Sequence, residues 1–151
     1  MIYFLDTSAL AKRYLSERGS NRLRRLLERK EDIFYQTFLT PLEVASALYR
    51  RLRSREISPA ELSFLLRAYV AHCHEDYLLL SYSDALMDRA SALIARHALR
   101  ALDALQLASV LELRDSLPAE AHPLAFLSAD DRLLDAAREE HFQAENPEGW
   151  R

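Results

Sequence analysis

The chain has 151 residues, 50% of them hydrophobic and 28% charged, enough apolar material for one compact core and a single domain over 1–151. Its net charge of −3 excludes a global polycation, so any contact with nucleic acid must come from a local basic surface. Cys73 is the only cysteine, which excludes an internal disulfide and fits a reducing, cytoplasmic setting, and two glycines are too few for a phosphate-cradling loop.

Met1 leads directly into the apolar run Ile2-Tyr3-Phe4-Leu5, so neither a secretory leader nor a membrane span is expected. That run predicts a strand buried on both faces, as do 33–35, 78–80 and 124–127, and 142–145 adds a short last strand. Helical spacing is predicted over 9–15, 21–29, 41–53, 59–74, 84–97, 103–113 and 131–140. Strands alternating with helices imply a parallel sheet covered on both sides, whose ligands bind beyond the carboxyl ends of the strands.

Asp6 stands at such an end, opening Asp-Thr-Ser-Ala-Leu. Capping the next helix explains it as readily as chemistry does, and Thr7 and Ser8 offer hydroxyls to orient its carboxylate, with Ser8 the better placed. Glu43 has the stronger structural explanation, because Thr40-Pro41-Leu42-Glu43 reads as a capping box, and Ser58-Pro59-Ala60-Glu61 repeats the pattern. The segment 72–74, His-Cys-His, is no strong zinc site, since adjacent helical residues point in different directions; His97, His122 and His141 are isolated.

Asp103 is harder to explain structurally. Leu99, Leu102, Leu105, Leu107 and Val110 surround it, no basic residue follows three or four positions later, and Arg100 three positions before is the one local partner. Asp130 and Asp131 lie where a strand meets a helix, and spacing does not decide between them. Two carboxylates about 5 Å apart repel by roughly 3 kcal/mol at an effective dielectric of ~20, so a cluster of four calls for a cation. Oxygen ligands alone favour magnesium or manganese over zinc.

Taken in order, Phe-Leu-Asp-Thr-Ser-Ala-Leu-Ala-Lys-Arg-Tyr, Thr-Pro-Leu-Glu-Val-Ala-Ser-Ala-Leu, Leu-Arg-Ala-Leu-Asp-Ala-Leu-Gln-Leu-Ala and Phe-Leu-Ser-Ala-Asp-Asp-Arg-Leu-Leu-Asp-Ala-Ala resemble the PIN domain, and more narrowly a VapC-like toxin ribonuclease. The resemblance covers essentially the whole chain. It implies a three-layer α/β/α sandwich with a central, mainly parallel sheet, and an acidic quartet of Asp6, Glu43, Asp103 and Asp130. A hydroxyl residue, one spacer and aspartate selects Asp130 over Asp131, with Ser8 and Ser128 as supporting hydroxyls. The chain departs from the family at His141, where glycine is frequent, and at Gln106, where histidine is common.

The same resemblance implies an endoribonuclease in which the quartet holds one or two Mg2+ or Mn2+ ions, a small antitoxin as partner and a homodimer. Asp6, Asp103 and Asp130 would be ligands, and Glu43 a ligand or a base. Lys12 and Arg13 are expected to meet RNA phosphate; the runs Arg22, Arg24, Arg25, Arg29, Lys30 and Arg50, Arg51, Arg53, Arg55 are at least as well explained as solvated helix faces. A catalytically silent interaction module is the alternative, with helices 41–55 and 59–74 as its surfaces. A magnesium phosphatase or receiver-type phosphoryl site is a third reading, disfavoured by Ser8 where a nucleophilic phosphatase would carry a second aspartate.

Overall fold

The computed structural model describes residues 1–118 and 120–150. Ile2 to Leu5 are buried without exception and form β1 (Ile2–Leu5), the middle strand of the sheet. It is flanked by β2 (Ile33–Thr37) and β4 (Leu124–Leu127), with β3 (Tyr77–Leu80) beyond β2 and β5 (Gln143–Glu145) beyond β4. All four strand pairs are parallel, as the alternation of strands and helices predicts.

Successive side chains of β1 point to opposite faces, and each face has its own core. Tyr3 and Leu5, with Phe34, Ala125 and Leu127, pack under the helices α1 (Thr7–Leu10), α2 (Ser20–Leu27), α3 (Thr40–Arg53) and α4 (Pro59–Glu75). Ile2, Phe4 and Phe126 pack under α5 (Asp84–Arg96), α6 (Ala101–Ser116) and α7 (Asp131–Glu139). The result is a three-layer α/β/α sandwich. Among the described residues no helix is long and apolar enough to cross a membrane.

Three expectations are corrected. β3 is an edge strand whose Leu78 and Leu79 are half exposed, so it is not buried on both faces as its apolar run suggests. The helix expected over 9–15 starts at Thr7 instead, because Asp6 accepts a hydrogen bond from the Ser8 N–H and caps it there, and it tightens into a 3-10 turn at Ala11–Arg13. The third concerns the two capping boxes. Ser58 and Glu61 make both bonds of the box at α4, whereas α3 starts one residue earlier than the pattern implies, with Leu39 as its cap. Thr40 then contacts the Thr37 hydroxyl at 3.1 Å, and Glu43 is left free for other partners.

Chain order places a topological switch between β1 and β4: from β1 the chain builds outward through β2 and β3, then returns to β4 on the other side. At that crevice Asp6 follows β1 and Ser128 follows β4, in a register that pairs Leu5 with Leu127.

Candidate active site

The Asp6 carboxylate is buried and accepts three hydrogen bonds on one oxygen, from the Ser8 N–H (3.1 Å), the Ser8 hydroxyl and the Ser128 hydroxyl (2.9 Å). The hydroxyls also reach across the crevice: Ser8 Oγ accepts from the Ala129 N–H at 2.8 Å, and Ser128 Oγ from the Asp130 N–H at 3.0 Å. They therefore tie the end of β1 to the loop carrying Asp130. Burial pushes the Asp6 carboxyl up to about 6; the Ser8 and Ser128 bonds oppose that rise, and the neighbouring Glu43 charge adds to it.

Glu43 projects from the first turns of α3 and is held by two neutral donors, the Thr7 hydroxyl at 2.6 Å and Gln106 Nε2 at 2.8 Å. Gln106 Nε2 also reaches Thr7 Oγ1 at 3.2 Å. Gln106 stands three positions beyond Asp103 on α6, so one amide links α3, α6 and the residue after Asp6. Its Oε1 is buried with no hydrogen-bond partner among the described residues. Sequence reading registered Gln106 only as a departure from a family pattern, and its neutral side chain carried no signal of this contact.

Asp103 lies in the first turn of α6, where partial burial and the Asp130 charge raise its pKa against the opposing hydrogen bond from the Arg100 backbone and the charges of Arg100 and Arg132. Asp130 caps α7 through Oδ1, which accepts from the Arg132 N–H (2.9 Å) and the Leu133 N–H (3.3 Å). Asp131 is the first helical residue and accepts from Asn146 Nδ2 at 3.1 Å. Two pairs thus sense each other directly, Asp6 with Glu43 and Asp103 with Asp130.

Other expected contacts lie elsewhere. Lys12 is buried, with its ammonium on Glu148 (2.6 Å) and Glu17 (3.1 Å). Arg13 holds Asp76 at 2.8 Å and the Tyr77 hydroxyl. Both are structural ties rather than side chains presented to a phosphate. Arg24 bonds the Arg13 and Leu15 carbonyls, and Arg51 holds Glu17 and Glu56. Arg50 to Arg53 close α3 some seven to ten residues beyond Glu43, roughly 10–15 Å along the helix. Cys73 accepts from Gln36 Nε2, and His72 Nδ1 contacts the Tyr14 hydroxyl at 2.9 Å.

Asp6, Glu43 and Asp103 make no ion pair with a lysine or arginine among the described residues, and Asp130 has only Arg132 at 3.9 Å. The donors are all oxygen, and an orphaned buried Gln106 oxygen lies in the same network. In kind, this set fits a hard divalent cation. As the side chains stand, however, no three acidic, histidine or cysteine groups among the described residues lie close enough together to hold one ion.

No curated protein matches the chain significantly. Similar solved structures include PAE2754 from Pyrobaculum aerophilum (19% identity, TM-score 0.67, covering 98% of this chain and 85% of that one). A toxin–antitoxin complex from Klebsiella pneumoniae is similar at 13% identity and TM-score 0.63, covering 96% of this chain and 97% of that one. FitAcB from Neisseria gonorrhoeae has the same identity and TM-score, covering 99% of this chain and 100% of that one. At such identities these likenesses speak to the fold. The family description "PIN domain" matches residues 3–139, a span that runs from β1 to the end of α7 and holds all four acids, so the chain belongs to the PIN-domain family.

Proposed function

We propose that this PIN-domain protein is a divalent-metal-dependent endoribonuclease, the toxin of a toxin–antitoxin pair. The observation that carries the reading is Asp6: a buried carboxylate with only neutral donors around it and Glu43 as an acidic neighbour. Such a group is poorly tolerated as an anion until a cation joins it.

Asp6, Asp103 and Asp130 would hold Mg2+ or Mn2+, with Glu43 as a further ligand or as a base. When bound, the ion supplies Lewis-acid activation of water and neutralises charge on the scissile phosphate. Ser8 and Ser128 fix the Asp6 carboxylate, and Thr7 and Gln106 fix Glu43, so these side chains meet their ligands preorganised. Water as nucleophile leaves the RNA 2′-hydroxyl unused, and products then carry no 2′,3′-cyclic phosphate. Likeness to the toxin–antitoxin complex from Klebsiella pneumoniae supports a small antitoxin as partner, and exposed apolar side chains such as Leu42, Phe64 and Leu79 are compatible with that partner and with a homodimer.

A silent interaction module is the second reading, favoured by the lack of three converging acidic groups among the described residues. One assay separates the two. Protein purified free of antitoxin is expected to cut structured RNA in magnesium or manganese, to stop in chelator, and to stop in Asp6→Asn with an unchanged circular dichroism spectrum. Cleavage that survives Asp6→Asn contradicts the proposal.

A further inference from the structure

A phosphodiester approaching four carboxylates is repelled, and one divalent ion offsets only two of the four charges. The substrate therefore needs cationic side chains at the rim, and the basic residues expected to serve, Lys12 and Arg13, are committed to Glu17, Glu148 and Asp76. Arg100 and Arg132 also neighbour the acids in the chain, three positions before Asp103 and two after Asp130. Arg100 is exposed at the N-cap of α6, three positions before Asp103, and makes no side-chain capping bond. Arg132 is exposed in the first turn of α7, with Nε 3.9 Å from Asp130 Oδ1, a long and solvent-screened contact.

We propose that Arg100 and Arg132 are a paired binding site for the RNA backbone beside Asp103 and Asp130, taking phosphates that flank the scissile bond. The assignment rests on the nuclease reading and adds the residues that dock its substrate. Arg100 at the N-cap of α6 and Arg132 in the first turn of α7 bring the two charges from two different helices, each at the end that carries one of the acids. A guanidinium matches two phosphate oxygens with parallel N–H donors, and giving up the long Asp130 contact for a phosphate sacrifices little. Each side chain is exposed, and among the described residues neither Arg100 nor Arg132 donates a side-chain hydrogen bond.

The test measures fluorescence anisotropy of a single-stranded RNA oligonucleotide against salt, in magnesium buffer, in an Asp6→Asn background that prevents turnover. Arg100→Gln with Arg132→Gln is expected to weaken binding at least tenfold at low salt. The same double variant should flatten the slope of log affinity against log salt by about 1.4, since each phosphate neutralised on a single strand contributes about 0.7. Lysine at both positions should keep most of the slope, while Arg53→Gln with Arg55→Gln, at and just beyond the C-terminal end of α3, should leave it unchanged. Wild-type affinity and slope in the double glutamine variant overturn the arginine site alone, provided the Asp6-intact protein still cuts RNA. Failure of the Asp6→Asn protein to bind RNA, together with failure of the intact protein to cut it, overturns both assignments.

Discussion

The Asp6 carboxyl joins two roles that sequence reading could only set side by side. Its oxygen caps α1 through the Ser8 N–H and also accepts from the Ser128 hydroxyl as a buried carboxylate with Glu43 as its acidic neighbour. Its pKa, lifted to about 6 from an ordinary 3.8, sets the sign of a pH effect on the metal-free protein. A carboxyl whose folded pKa is raised favours folding in its neutral form, so its contribution is complete below about pH 4 and is lost as pH rises through 6. A rise from 3.8 to about 6 corresponds to about 3 kcal/mol. Urea unfolding in chelator is therefore expected to show stability falling between pH 4 and pH 7, and Asp6→Asn is expected to remove most of that fall. A variant with the wild-type pH profile contradicts this account of Asp6. Thr7 and Gln106 show what single residues hide: a neutral threonine and glutamine position Glu43, and no charge or spacing announces them.

At the scale of elements, similar strings gave different structures. Ser58 to Glu61 and Thr40 to Glu43 share hydroxyl, proline and glutamate spacing, yet only the first closes a capping box. The second fails because α3 begins one residue early and tertiary partners claim both Thr40 and Glu43. The helix after Asp130 ends where the sequence suggested a difficulty. His141 takes a left-handed φ of 64°, while its N–H bonds the Arg138 carbonyl at 2.9 Å and the Phe142 N–H bonds the Ala137 carbonyl at 3.0 Å. That is a Schellman ending built without glycine. His141→Gly is expected to stabilise the protein by about 1 kcal/mol in thermal or urea unfolding, by relieving the Cβ clash of the left-handed conformation. A loss of stability would mean that the imidazole makes a contact worth more than the strain.

Across the whole molecule, alternating apolar runs and helical stretches were enough to read the layered parallel architecture, because a strand buried on both faces has a recognisable composition. Strand order was less legible. Leu78 and Leu79 are as apolar as Leu5 and Leu127, but β3 lies at the sheet edge, and burial there depends on neighbours distant in sequence. The four acids were legible as positions and not as a geometry. Asp6 and Asp130 follow adjacent strands at the switch point, while Glu43 and Asp103 are carried by α3 and α6, which pack on opposite faces of the sheet. Placement of Lys12 was illegible for the same reason, since Glu148 lies 136 residues away.

Manganese titration followed by thermal melting at pH 7 tests most directly whether these distant acids share a cation. An ion that binds the folded chain and not the unfolded one raises the melting temperature with concentration. The wild type is expected to show that rise, and Asp6→Asn and Asp103→Asn to lose most of it while remaining folded. An equal rise in all three proteins, or none in the wild type, contradicts a common metal site.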